Sequence, residues 1–318
     1  MFNNFQGFNM KKTLIALASV ATVGLAFAQS SNTVYGVVDL GIVNDTTAGT
    51  TVASGGFSTS RIGFKGEADL GGGLKGVYKV EAKVDASNPS ATTLGGRGAS
   101  FGVSGNFGTV SFGRQFTPYA ISYFNDATEY DGFSPIWYSG MVGGIHGDMV
   151  WSSHSVAYTS PSINGVTLRG MYAPAGKDAG NYTGVGADFT LGTITLAAGY
   201  ESNDNGQGAT TTAWNLAAAA QLNGITISGA YNVADNKANK DTGWMVTAAI
   251  PLGGGLSAEG GYASEATNYA TETTRSGISA VLIKDLNKQL RLYGGFVRGS
   301  ATGVKDNDTI KLGARFSF

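Results

Sequence analysis

Alternation with period two constrains the fold of this chain more tightly than any other feature. From Ser60 to Leu70 one face reads Ser60, Ile62, Phe64, Gly66, Ala68, Leu70, and the other reads Arg61, Gly63, Lys65, Glu67, Asp69. After Gly71-Gly72-Gly73 the pattern repeats, with Leu74, Gly76, Tyr78, Val80, Ala82 and Val84 on one face and Lys75, Lys79, Glu81, Lys83 and Asp85 on the other. Successive side chains of a strand point to opposite faces, so this is a strand signature, and the glycine triplet is a hairpin turn. Tight turns are expected near Gly71–Gly73, Asn106, Ser162–Gly165, Gly192, Asn223-Gly224, Gly253–Gly255 and Asp285–Asn287. Looser polar connections are expected near 45–56, 87–95, 117–148, 175–178, 204–209, 235–240, 267–269 and 300–305. The two kinds alternate, and together they join sixteen strands.

Strands of roughly ten residues with apolar and polar faces, turns at one end and longer loops at the other, predict an all-β fold: a 16-stranded antiparallel transmembrane β-barrel. In a soluble sandwich the apolar face would carry bulky, interdigitating side chains. Here many of its positions are Gly or Ala, and charges crowd the middle of the opposite face. Closure also removes free sheet edges, which lipid does not tolerate. Composition agrees: charged residues are 14% of the chain, against roughly 25% in soluble domains, and 49 of 318 residues are Gly. A formal net charge of −1 argues against a nucleic-acid binder, and the absence of Cys excludes disulfides and thiol catalysis.

Residues 1–28 read as a signal peptide. Met10-Lys11-Lys12 precedes an apolar run from Thr13 to Phe27, and Ala26-Phe27-Ala28 forms an A-x-A cleavage site before Gln29. Met10 is an alternative start. Residues 29–318 are then a single outer-membrane barrel. Its last strand places Ile310, Leu312, Ala314, Phe316 and Phe318 on one face and ends on an aromatic residue suited to an interfacial girdle.

Gly170-Met171-Tyr172-Ala173-Pro174-Ala175-Gly176-Lys177 has the spacing of a phosphate-binding loop, but Asp178 stands where Ser or Thr should hold magnesium, and no helix follows. The two histidines, His146 and His154, are too few for a zinc site. His154 among Ser152, Ser153 and Ser155 invites a hydrolase reading, but no orienting acid or oxyanion loop is recognisable. No enzyme, metal or cofactor is expected.

Several stretches resemble the trimeric general diffusion porins of Gram-negative outer membranes: Val34-Tyr35-Gly36-Val37-Val38-Asp39, Ser60 to Gly66, Leu70 to Lys75, Gly105-Asn106-Phe107-Gly108, Phe112-Gly113-Arg114-Gln115, Val156 to Pro161 and the terminal Phe318. The resemblance implies a homotrimer in the outer membrane, in contact with lipopolysaccharide and built by the barrel assembly machinery, with Phe318 as assembly signal. It implies passive diffusion of ions and small hydrophilic solutes through a water-filled channel. It also implies an inward-folded third loop, here about 117–148, with acidic residues Asp126, Glu129 and Asp131 facing a basic wall. The wall candidates are Arg61, Arg97 and Arg114, with Lys65, Lys79 and Lys83 sharing the pore-facing phase. Strict alternation puts Arg114 on the face of Val110 and Phe112, so a bulge near Gly113 is expected to turn it inward. Trp151 stands where the family often has a further arginine. A solute-specific channel, with Tyr119, Tyr123 and Trp137 along its path, and a surface adhesin barrel are the alternative readings.

Overall fold

A computed structural model describes residues 30–88, 93–124, 133–135, 150–174, 180–204, 210–237, 240–268 and 273–318. The elements are β1 (Ser31–Asp45), β2 (Gly49–Ser54), β3 (Arg61–Gly71), β4 (Leu74–Lys83), β5 (Gly98–Gly105), β6 (Gly108–Phe116), α1 (Pro118–Phe124), β7 (Trp151–Thr159), β8 (Val166–Ala173), β9 (Tyr182–Leu191), β10 (Ile194–Asp204), β11 (Thr210–Leu222), β12 (Ile225–Asp235), β13 (Lys240–Gly253), β14 (Leu256–Asn268), β15 (Thr273–Asp285), β16 (Leu290–Ala301) and β17 (Val304–Ser317). From β3 onward each strand pairs antiparallel with its sequence neighbour, β1 pairs with both β2 and β3, and β1 closes the sheet on β17 from Val37↔Ser317 to Asp45↔Thr309.

The barrel has the expected sixteen staves, and the second is broken. The outer half of β1 pairs β2 from Leu40↔Ser54 to Asp45↔Gly49, and its inner half pairs β3 from Ser31↔Glu67 to Val37↔Arg61. β2 and β3 are therefore two halves of one stave, interrupted by Gly55–Ser60. The loop expected at 45–56 shrinks to a turn at Thr46–Ala48, capped by the Asp45 carboxylate, which accepts from the Thr47 and Ala48 amides at 2.9 and 3.0 Å. The interruption folds onto the first strand's inner face. Buried Asp39 accepts from the amides of Phe57 (3.1 Å) and Ser58 (2.8 Å) and from the Tyr293 hydroxyl (2.6 Å). Likewise the connection expected to be loose at 300–305 is a two-residue turn, Thr302-Gly303, with Gly303 at φ +75°.

The two faces separate as the alternation requires. Phe64, Phe101, Phe112, Leu196, Leu216, Leu282, Ile310 and Leu312 stand exposed on the outer surface. Aromatic pairs lie on the same surface, Trp214–Tyr231 at 5.5 Å and Trp244–Tyr262 at 5.3 Å between ring centroids. In a soluble protein so large an apolar surface would be a liability; on a closed sheet it is the face that lipid solvates.

The inner face is small where it must admit another element. Ala197, Ala217, Ala230 and Ala263, with Met245, form a buried cluster around Tyr123 of α1. Tyr119 packs on Ala213 and Ala234. The α1 helix is pinned further by Asn215, whose amide donates to the Tyr119 carbonyl (3.0 Å) and whose oxygen accepts from the Ser122 hydroxyl (2.9 Å). The chain leaving β6 thus enters the lumen at once. Midway along the connection, Phe133 is buried among Phe57, Tyr293 and Val297, with ring centroids 6.2 Å from Phe57 and 5.8 Å from Tyr293. Two described stretches of the third connection therefore lie on the inside, α1 against β9–β11 and Phe133 against β15–β17.

Candidate pore constriction

Glu81 is the hub of a charged cluster on the inner face of β1, β3 and β4. Its carboxylate, only 5% exposed, accepts from Arg97 Nε at 2.8 Å and from the Tyr35 hydroxyl at 2.8 Å, with Lys79 Nζ at 3.5 Å and Arg61 Nε at 3.9 Å. Strand phase puts the members together, because Tyr35 lies opposite Gly63, and Gly63 lies opposite Glu81. A methyl group at Gly63 would run into the Tyr35 ring, so only glycine lets the phenol lie across β3 to reach β4. Lys65 and Lys79 sit over that ring, 5.4 and 6.0 Å from its centroid. Lys83, opposite Arg61 in the register, is exposed on the same face. One carboxylate therefore faces three cations within 4 Å, and its neighbours on this wall are basic too. In a narrow water-filled space with low-dielectric walls, such an excess makes a positive potential that salt screens over about 8 Å.

Arg114 belongs to the cluster by another route. The expected bulge exists, but its extra residue lies in the partner strand: Gly113 pairs Ser155 and Gln115 pairs Ser152, so Ser153 and His154 are accommodated in β7, with His154 at φ +54°. Gln115 keeps the inward phase of Ser111, to which it is hydrogen-bonded at 2.7 Å. Arg114 donates from Nε to the Gly96 carbonyl (2.9 Å) and from Nη1 to the Ser153 hydroxyl (2.8 Å). Its guanidinium carbon lies 5.8 Å from the Trp151 ring, and so does that of Arg97. Trp151 itself stacks on Phe116 at 3.8 Å.

Asp126, Glu129 and Asp131, together with Trp137, fall outside the described residues. Tyr119 and Tyr123, candidates for lining a solute path, are instead buried between α1 and the wall. Tyr35, Phe57 and the clasping role of Glu81 were not singled out from the sequence. The inward phase of Tyr35 was countable, but its reach to a strand two places away was not.

Comparison with known proteins decides the family. The pattern described as Gram-negative porin matches residues 13–304, more than nine-tenths of the chain. The chain belongs to the Gram-negative porins. Outer membrane porin protein 32 of Delftia acidovorans is 28% identical over 96% of this chain and 92% of its own. Major outer membrane protein P.IB of Neisseria gonorrhoeae is 31% identical over 54% of this chain and 51% of its own. Among solved structures, an anion-selective porin from Comamonas acidovorans superimposes with a TM-score of 0.82 at 22% identity, covering 91% of this chain and all of its own. The trimer form of OmpT of Vibrio cholerae gives 0.74 at 16% identity, covering 91% and 99%. This porin is accordingly an outer-membrane barrel that passes solutes by passive diffusion.

Proposed function

We propose that this porin favours anions, and that its constriction lies where Arg61, Arg97, Lys79 and Lys65 meet on the inner wall, with Arg114 and Lys83 beside them. The observation that carries the proposal is the charge count at Glu81: one buried carboxylate against three cations within 4 Å. The porin resemblance assigns the acidic side of the constriction to Asp126, Glu129 and Asp131, and acids set opposite a basic wall give a transverse field that orients dipolar solutes. The similarity to a porin named anion-selective supports the same direction.

The remaining assignments follow the same reading. Residues 1–28 are a signal peptide and 29–318 the barrel. The barrel is a homotrimer in lipid and lipopolysaccharide, as an OmpT structure in trimer form supports. Phe318 is the assembly signal read by the barrel machinery; its amide and carbonyl pair with those of Gly36 at 3.1 and 3.0 Å, so the last residue locks the sheet's closing seam. The solute moves down its own gradient, so this reading calls for no bond chemistry.

Reversal potential in a planar bilayer under a KCl gradient tests the selectivity. Removing one unit charge about 10 Å from the ion path changes an ion's energy by roughly 0.4 kcal/mol in water, about a factor of two. Because the anion loses what the cation gains, Arg61→Ala is expected to lower the anion-to-cation permeability ratio by about fourfold, less in 1 M salt. An unchanged ratio in dilute salt would remove Arg61 from the constriction.

A further inference from the structure

Strand phase leaves Arg114 with Phe112 and Ala99, away from the inward row of Ser111 and Gln115, yet its guanidinium reaches the same indole as Arg97. Arg97 is fixed on the pore wall by its bond to Glu81. The Trp151 ring is fixed from a third direction by stacking on its cross-strand partner Phe116. The local backbone is shaped to admit the ring. Gly98 adopts φ +148°, and a Cβ built there would meet Trp151 Cζ3 at 3.1 Å, closer than a side chain is comfortably held. The Ser153 hydroxyl, brought forward by the bulge in β7, takes the Nη1 donor of Arg114.

We infer that Trp151 is a positioning residue for selectivity: its indole face gathers the Arg97 and Arg114 guanidiniums, which would otherwise repel, and so adds Arg114 to the positive wall that solutes meet. Cation–π attraction favours guanidinium over an indole within about 6 Å, and arginine stacks on aromatic planes while its donors bond in the ring plane. Two like charges can then share one surface because each retains its own acceptor, Glu81 for Arg97 and the Gly96 carbonyl and Ser153 hydroxyl for Arg114. An aromatic residue at the start of β7 thus contributes to anion preference without carrying a charge.

This inference rests on the anion-selective reading above, and the test separates the two. Reversal potentials are compared for the native porin, Arg114→Ala, Trp151→Ala and the double variant, with Trp151→Phe as the conservative control. Circular dichroism and the heat-induced gel shift confirm that each variant folds. Arg114→Ala should lower the anion-to-cation permeability ratio about fourfold in the native background and leave it unchanged in the Trp151→Ala background, while Trp151→Phe, which keeps a ring for both guanidiniums, retains most of the native ratio. Equal losses from Arg114→Ala in both backgrounds would overturn the role of Trp151, as would no loss in either with Arg61→Ala still effective. A native channel that shows no anion preference would instead overturn the selectivity reading itself.

Discussion

Asp39 shows how much one buried side chain can hold at the residue scale. Three donors converge on it, two of them amides of the Gly55–Ser60 excursion and the third the Tyr293 hydroxyl on β16. An unpaired buried donor costs about 1–3 kcal/mol, and bonds to a charged acceptor lie at the upper end. Asp39→Ala is expected to lower the detergent-solubilised porin's stability by several kcal/mol in denaturant titration. Ser58→Ala, which removes a hydroxyl that makes no hydrogen bond, should change it by under about 0.5 kcal/mol. Equal effects would show that the excursion is not held by Asp39. At this scale phase counting placed Arg61, Lys65, Lys79 and Lys83 on one face, because charged and apolar residues alternate there without a break. It misplaced the bulge, because Ser152-Ser153-His154-Ser155 has no apolar member to mark which residue slips. Trp151 read as a missing arginine because a contact between side chains on neighbouring strands leaves no trace in the pattern of either.

Between strands and helix, the governing relation is the match of α1 to a wall of alanines. Ala217 and Ala218 are adjacent in β11, one buried beneath Tyr123 and the other on the outer surface. Ala217→Leu adds volume where none is free, which costs about 1–3 kcal/mol if α1 stays and less if α1 moves into the lumen. It is expected to reduce single-channel conductance, whereas Ala218→Leu, facing outward, should leave conductance unchanged. If both variants conduct alike, α1 does not border the aqueous path. Most strand boundaries and turns were legible from glycine clusters and alternation. The broken second stave was not: Ala53 to Ser60 is rich in Gly and Ser, which reads as a loop whether the chain wanders outside or folds inward over Asp39. The turn at Thr302-Gly303 was blurred by polar residues that continue on both sides of it.

For the whole molecule, everything depends on closure with two differently solvated faces, and that much was readable in full from the alternation and the alternating connection lengths. The course of the third connection was readable only as a long, aromatic-rich interval. The absence of cysteine makes the central claim directly measurable, since a single introduced thiol reports one position with no background. Neighbouring residues are replaced one at a time by cysteine on three staves: Phe64 and Lys65 on β3, Tyr78 and Lys79 on β4, Leu292 and Arg291 on β16. Each variant is reconstituted in lipid vesicles and treated with a bulky, charged maleimide added to the water. Thiols at positions 65, 79 and 291 are expected to react and those at 64, 78 and 292 to be protected; equal labelling within each pair would contradict a barrel with lipid outside and water within.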